Sequence, residues 1–428
     1  MLKSLFYREE YRLRENPFSS DAIVKYGSQD IKDNGSIYNP NVRPKTMEEI
    51  KNRFIDAGLR GETKFGFLWS LGAIDYTRGF GKTSTMLYLA NRINTDFGVS
   101  LMREMGYEEN EIRKKRAAAA YSSFSATKAT SFNWVLFQAI QYMNDNNVLL
   151  DMYGALCEKA IHKLGVAFSA ADIMSGTCSI DDRLLVEQQV IEEVRAQRVE
   201  VKGNTLPFNS GFMVDLLGYM HDSSGTRQFL DSVSEYHRSR SGLLFFDVVV
   251  TMLRTAGLNR IFVFLDEIEE FVRLGSRAKL IKEVLRFRDL AIETQPCGDS
   301  TVFVVTLHPS AGQVIAPYWR EASLPSYDYT QPQNENRVVM LTELEKDQGL
   351  ALIETYLNHP QFRLGAPPGQ NNFHPFTQET ASLVWEHSNR HPRRILRNCF
   401  SLLDKGAEQN IPIIDAHFIE NNLRDIGI

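Results

Sequence analysis

The sequence is poor in the features that mark several common classes of protein. Its four cysteines, Cys157, Cys178, Cys297 and Cys399, lie far apart, with no CxxC pair and no Cys/His cluster. This spacing argues against a zinc site and favours a reduced compartment. No apolar run reaches the length of a transmembrane helix, and the charged N-terminus (MLKSLFYREEYRLREN) lacks the apolar core of a signal peptide. We therefore expect a cytoplasmic protein with no membrane partner.

An excess of positive charge is also lacking, since the formal net charge is −5. Nothing global therefore indicates nucleic-acid binding, although an average can mask a local patch. The densest basic run, Ile112–Arg116 (IRKKR), has two interpretations. It can contact nucleic-acid phosphates, or it can be a solvated helix end, which is the commoner case. The sequence favours the second interpretation and leaves DNA as an undecided partner.

A glycine-rich turn followed by lysine and threonine is the most informative stretch of the chain. It follows an apolar run, Phe65–Ile74, that predicts a buried strand, and it precedes Ser84–Ile93, which predicts an amphipathic helix. In this context we expect the loop to bind phosphates, with Lys82 on the β- and γ-phosphates and the Thr83 hydroxyl on Mg²⁺. The expected nucleotide-binding residues of the loop are Arg78, Gly79, Phe80, Gly81, Lys82, Thr83 and Ser84. The full motif has glycine where this chain has Tyr76, so only its second half matches.

A second motif follows in the order that a nucleotide site requires. The short apolar run Arg260–Leu265 predicts a buried parallel strand, and Asp266 and Glu267 come directly after it. Ligands of open α/β sheets bind at this end of the strands. We expect Asp266 to hold Mg²⁺ and Glu267 to activate the attacking water. The alternative is that the two carboxylates only begin the next helix, which explains this motif but not the ordered pair.

The remaining pattern divides the chain into three segments. Residues 1–45 are polar and turn-rich, and a helix is predicted from Thr46 to Ala57 with a capping box at Thr46 and Glu49. Residues 46–341 alternate strands and helices, which predicts an α/β fold with a parallel P-loop sheet and helices on both faces. A helical insertion is expected within about 145–240, and residues 342–428 predict a small helical lid domain.

With these landmarks in order, the chain resembles AAA+ ATPases, and within them the Orc/Cdc6-like clade. Ile37–Ile50 is similar to the segment that packs against adenine in that clade, and Thr301–His308 is similar to the sensor 1 strand. The resemblance implies that His308 or Thr306 faces the γ-phosphate. His391–Arg397 resembles the sensor 2 helix, which implies that Arg394, or alternatively Arg393, reaches the phosphates. Residues 266–306 also resemble ATP-binding proteins of BREX-type phage-defence systems more weakly.

The resemblance implies an Mg²⁺-dependent ATPase whose hydrolysis of ATP to ADP changes the shape of a protein or DNA–protein partner, in genome defence or DNA maintenance. It also implies a homo-oligomer in which Arg320 acts on the neighbouring subunit's site; the alternative is a surface arginine that stacks on Trp319 or Tyr318. The sequence ends at Ile428, where the lid is expected to end, so the DNA-binding domain of that clade is not expected. A switch that binds ATP with little turnover is the alternative function, favoured by Tyr76 and by the missing sensor asparagine.

Overall fold

Five strands form a single sheet in the computed structural model, which describes residues 2–70, 79–125, 131–199, 204, 206–268, 270–271, 276–307, 309–325 and 331–423. The strands are β1 (Phe65–Ser70), β2 (Ala117–Ser123), β3 (Arg260–Asp266), β4 (Thr301–Leu307) and β5 (Val338–Leu341). Their order across the sheet is β2-β3-β4-β1-β5. The pairings of β2 with β3, β3 with β4 and β4 with β1 are all parallel. The predicted α/β fold with a parallel sheet is confirmed.

The rest of the regular structure is helical. In chain order the α-helices are α1 (Lys3–Glu9), α2 (Pro44–Ile50), α3 (Ala57–Leu59), α4 (Lys82–Asp96), α5 (Val99–Glu104), α6 (Glu109–Lys114), α7 (Phe132–Asp145), α8 (Val148–Leu164), α9 (Ala170–Met174), α10 (Ile180–Val199), α11 (Ser210–Tyr219), α12 (Ser223–Ser232), α13 (Glu235–Thr255), α14 (Arg277–Arg288), α15 (Cys297–Ser300), α16 (Pro309–Glu321), α17 (Lys346–Leu357), α18 (Gln378–His387), α19 (Pro392–Glu408) and α20 (Ala416–Leu423). π-Helical turns cover Lys51–Asp56 and Asp289–Glu293. No helix of the described residues is long and apolar enough to cross a bilayer.

The chain forms two compact units, and each is built from more than one segment. Unit 1 comprises Met1–Glu49, Ser70–Tyr88 and Met340–Ile428, and unit 2 comprises Ile50–Trp69 and Leu89–Val339. The structure thus groups the N-terminal segment and the phosphate-loop region with the C-terminal helices. The sequence segments 1–45, 46–341 and 342–428 divide the chain differently.

The sheet of unit 2 consists of short strands that are buried on both faces, as their continuous apolar runs predict. Every residue of β2 is buried, and so is every residue of β4. Ser123 pairs with Asp266, Leu265 with Val305 and Leu68 with Thr306, so the carboxyl ends of these strands meet at one edge. We call this the carboxyl edge of the sheet. Between residues 145 and 240 the described residues form helices and no strand, in agreement with the predicted helical insertion.

The core of unit 1 joins the beginning and the end of the chain. Apolar side chains of the first eighteen residues, including Phe6 and Phe18, pack in one cluster with Ile395 and Leu402 of α19. The Tyr11 hydroxyl donates a hydrogen bond to the Ile411 carbonyl at 2.9 Å. These residues are apolar without a regular period, which is why the sequence indicated turns here and gave no sign of a core.

One predicted boundary is wrong for a clear reason. The helix expected to begin after an N-cap at Thr46 begins at Pro44, so Thr46 lies inside the first turn. Proline suits the first position of a helix because its fixed φ is helical and its missing N–H has no partner there in any case. The helix therefore begins at the proline, two residues before Thr46, so Thr46 is not its N-cap.

Candidate functional site

The glycine-rich loop enters α4 through two residues whose backbone favours glycine. Gly79 and Gly81 have φ values of +92° and +94°. Side chains strongly disfavour this region, so the turn depends on both glycines. Lys82 is the first residue of α4, and its Nζ donates to Ser70 Oγ, at the end of β1, at 2.8 Å. Arg78 and Tyr76 lie outside the described residues.

In unit 1 this loop lies directly against the N-terminus of α19. A Cβ atom added to Gly79 would lie 2.6 Å from the Cβ of Arg393. The ring of Phe80, which is 3% exposed, meets the His391 ring edge-on at 4.7 Å between centroids. The loop therefore lies next to the helix that resembles sensor 2. A nucleotide bound by both elements would need them to be adjacent. Arg393 contacts the loop, while Arg394 is the next, partly buried residue of α19.

The residues after the loop also contact the N-terminal segment of unit 1. Thr83 and Ser84 are partly buried in the first turn of α4. Thr85, the next residue, has its Oγ1 3.1 Å from the Tyr38 hydroxyl, and the rings of Tyr38 and Tyr88 stack at 4.6 Å. Tyr38 belongs to the stretch that resembles the adenine-contacting segment. The structure thus brings that segment to the phosphate-loop helix within one unit.

Asp266 is the last residue of β3 in unit 2 and is 2% exposed. Its Oδ1 accepts a hydrogen bond from Thr306 Oγ1 at 2.5 Å, and its Oδ2 accepts one from the Tyr121 hydroxyl at 3.0 Å. Burial and the charge of Asp266 raise the pKa of Tyr121 well above its ordinary value, so the phenol remains a donor. Both carboxylate oxygens are therefore held in fixed directions at the carboxyl edge of the sheet.

Glu267 is held by its backbone and by its side chain. Its φ of +55° is uncommon for a residue with a side chain and costs about 1–3 kcal/mol. Its N–H donates to Thr306 Oγ1 at 2.9 Å, and its Oε2 accepts from Ser123 Oγ at 2.9 Å and also from the Ser125 hydroxyl. Such strain concentrates at functional sites, and a carboxylate fixed in this way is suited to accept a proton from a bound water.

The sequence reasoning did not identify the two serines or Tyr121. The lateral order of the strands would have indicated Ser123, because Ser123 ends β2 and β2 pairs with β3, which ends in Asp266. Thr306, which is 1% exposed, is the residue of the stretch similar to a sensor 1 strand that contacts the Asp266 carboxylate and the Glu267 backbone. His308 lies outside the described residues. Arg320 lies in the last turn of α16 with its side chain exposed, and the structure shows no role for it.

Each unit carries groups of the kind that a bound nucleotide or magnesium ion needs. In unit 1, no atom of the described residues lies within 4 Å of where a Cβ of Gly81 would be, which leaves space beside the loop backbone. Thr83 of unit 1 carries a hydroxyl and Asp266 of unit 2 carries a carboxylate, and both are donor groups that Mg²⁺ prefers. Among the described residues no group of three or more His, Cys, Asp or Glu side chains is placed to hold a metal. A magnesium ion shared with phosphates does not need such a group, because it keeps several waters.

A scan against protein-family models finds no match to this chain, and a search of curated proteins finds no match either.

Proposed function

We propose that the protein binds ATP with Mg²⁺ and hydrolyses it. The observation that carries this proposal is the loop of unit 1, where two glycines with positive φ lead to Lys82 at the first residue of a helix of 15 residues. Backbone N–H groups at such a helix start, together with a lysine, attract phosphate oxygens. Asp266 and Glu267 supply the two carboxylates of the proposed reaction, one for Mg²⁺ and one for the attacking water.

The order of the strands is that of an open sheet with a ligand site at its carboxyl edge. β1 leads into the glycine-rich loop, and β3 ends in Asp266, and both strands have their carboxyl ends at the same edge of the sheet. The chain leaves β1 toward β2 and leaves β4 toward β5, in opposite directions from neighbouring strands. Ligands of open α/β sheets bind at such switch points.

In this proposal Lys82 and the loop backbone hold the phosphates. Thr83 and Asp266 hold Mg²⁺, which neutralises phosphate charge when it is bound. Glu267 accepts the proton of the attacking water, and Ser123 and Ser125 orient its carboxylate through their hydrogen bonds. Thr306 fixes Asp266 and the backbone of Glu267 through one hydroxyl.

A binding switch with little turnover is the second candidate, and one observation favours it. Three carboxylate oxygens of the cluster accept hydrogen bonds from protein groups. Thr306 and Tyr121 donate to the two oxygens of Asp266, and Ser123 and Ser125 donate to Glu267 Oε2. A carboxylate that keeps these bonds with ATP present is less available to a water. The turnover number distinguishes the two candidates.

The contact of Gly79 with Arg393 supports a coupling of the nucleotide to the C-terminal helices of unit 1. A phosphate bound at this loop lies beside the start of α19 and attracts its arginines. We propose that ATP binding and hydrolysis move these helices and thereby change the affinity for a protein partner. The AAA+ relationship, a homo-oligomer, a cytoplasmic location and a role in genome defence remain predictions.

The experiment measures ATP binding by calorimetry and hydrolysis by phosphate release. Lys82→Ala should lose most of the affinity, whereas Lys282→Ala, which removes an exposed lysine of α14, should not. Glu267→Gln should keep ATP binding and lower hydrolysis by about 10² or more, the scale of a lost general base. Unchanged ATP binding by Lys82→Ala would refute the assignment of the loop. If Glu267→Gln hydrolyses ATP at the wild-type rate, another residue is the general base. If the wild-type protein binds ATP without turnover, the binding switch is favoured.

A further inference from the structure

Basic side chains gather at the amino edge of the sheet in unit 2, the edge opposite Asp266. Two surface clefts of about 470 and about 420 Å³ open there, and Asn259, which precedes β3, lines both. The basic residues that line them are Arg60, Lys114, Lys115 and Arg260 in the first and Lys159 and Arg254 in the second. The acidic ones are Glu62 and Glu193. Six cations and two carboxylates make this surface positive in a chain whose net charge is −5.

Ion pairs and a helix end account for three of these cations. Arg60 binds the two oxygens of Glu62 at 2.7 and 3.0 Å, and Lys115 lies 3.3 Å from Glu111. Lys159 Nζ donates to the Thr255 carbonyl at 2.6 Å, where a cation is favoured by the C-terminal end of α13. These contacts explain the three residues without a ligand.

The other three cations, Lys114, Arg254 and Arg260, form no ion pair with a carboxylate of the described residues, although Lys114 and Arg254 lie in the last turns of α6 and α13, where a cation is favoured. Arg254 donates to the Ser300 hydroxyl at 3.2 Å, and Arg260 donates to the Asp299 carbonyl at 2.8 Å, so both hydrogen bonds go to neutral oxygens. Both arginines are partly buried. Burial, and after it the neighbouring charge of Arg254, lower the pKa of Arg260, while the nearby Asp299 carboxylate acts in the opposite direction without cancelling them. Two like charges held close together and partly out of water are stabilised when an anion lies between them.

We propose that the two clefts bind the phosphate backbone of a nucleic-acid duplex without reading its sequence. Arginine and lysine side chains along a groove are the usual means of neutralising successive phosphates. Single strands are held largely by stacking on aromatic rings, and no aromatic residue is among the described residues that line either cleft. The Ile112–Arg116 run forms the end of α6 and contributes Lys114 and Lys115 to the first cleft, so the proposal gives this helix end a role.

This inference does not rest on the proposed ATPase, since the clefts and the carboxylate cluster lie at opposite edges of the sheet. The test is the binding of the full-length chain to a fluorescently labelled mixed-sequence duplex, followed by anisotropy. Three phosphate contacts, one each for Lys114, Arg254 and Arg260, predict roughly 40-fold weaker binding when salt rises from about 50 to about 200 mM. A second duplex of scrambled sequence should bind equally well. Lys114→Ala and Arg254→Gln should each reduce the slope of log affinity against log salt by about 1.

Two control variants make the test specific. Lys279→Ala removes an exposed lysine of α14 that lines neither cleft, and it should leave the slope unchanged. Lys82→Ala should keep duplex binding even where ATP binding is lost. Lys114 is exposed, so its variant should fold normally even if Arg254→Gln does not. The proposal is overturned if the duplex does not bind, if Lys279→Ala lowers the slope as much as Lys114→Ala, or if an acidic peptide of equal charge binds more tightly than the duplex.

Discussion

Thr306 offers a direct test of the carboxylate cluster, because its single hydroxyl links both acidic residues. The hydroxyl donates to Asp266 Oδ1 at 2.5 Å and accepts the N–H of Glu267 at 2.9 Å, and the residue is 1% exposed. Thr306→Val keeps the volume of the side chain and removes only these hydrogen bonds. The perturbation therefore isolates the hydroxyl from the packing around it.

The expected size of the effect follows from the partner. A hydrogen bond to a charged group contributes about 1.5–3 kcal/mol, and a bond to a neutral group contributes about 0.5–1.5 kcal/mol. The Glu267 N–H keeps Asp266 Oδ1 as a second acceptor at 3.0 Å, so the substitution does not leave it unpaired. We expect Thr306→Val to lower the free energy of unfolding by about 2–3 kcal/mol.

Thr251→Val is the matched control. Thr251 is also fully buried in unit 2, but its hydroxyl donates to a neutral acceptor, the Asp247 carbonyl, at 2.8 Å. This variant should lose only about 1 kcal/mol. Urea unfolding followed by tryptophan fluorescence is a suitable assay, since Trp69, Trp134 and Trp319 all belong to unit 2. Equal losses in the two variants would refute the reasoning, because they would mean that the carboxylate adds nothing to the Thr306 bond.

Three further predictions follow from other contacts. Gly79→Ala places a Cβ 2.6 Å from Arg393, whereas Gly81→Ala meets no atom within 4 Å, so the first should cost about 1–3 kcal/mol more in thermal unfolding; equal costs would contradict the contact. Burial raises the pKa of Asp247 to about 6 against the attraction of Arg198, which pairs with it at 3.0 Å, so its contribution to stability is full below about pH 4 and is lost as pH rises through about 6. Asp247→Asn should remove that part of the pH dependence in urea unfolding from about pH 4 to 7, and an unchanged slope would count against it. For Arg320, mixing inactive Arg320→Ala subunits with inactive Glu267→Gln subunits should restore part of the hydrolysis. If hydrolysis does not return and light scattering shows a monomer, Arg320 does not act on a neighbouring subunit's site.

The strands were predictable because each is a short apolar run between turns. The expected Arg260–Leu265 strand agrees with β3 to within one residue, and the strand expected from Phe65 begins there as β1. Helix bounds were less predictable. The helix expected over Ser84–Ile93 runs from Lys82 to Asp96, since polar residues such as Thr83 and Asn94 extend it beyond its apolar face.

The parts of the site that depend on contacts between distant residues were not predictable. Ser123 meets Glu267 across 144 positions of sequence, and Tyr121 meets Asp266 across 145. These pairs follow from the lateral order of the strands, which a single sequence does not specify. The sequence likewise favoured Arg394 over Arg393, because a helix motif does not show which of two adjacent arginines faces a loop.

The joined core of unit 1 has a consequence for the timing of synthesis. Tyr11 donates its hydrogen bond to Ile411, 400 positions later, and Asn16 donates to the Phe400 carbonyl. At about 5–20 residues per second, a ribosome takes roughly 20–80 seconds to produce those partners. During that interval Phe6, Tyr11 and Phe18 have no native core to enter, while all segments of unit 2 are already made once residue 339 has been added. Unit 1 therefore cannot complete its core before the C-terminal helices have been made, whereas unit 2 does not wait for them.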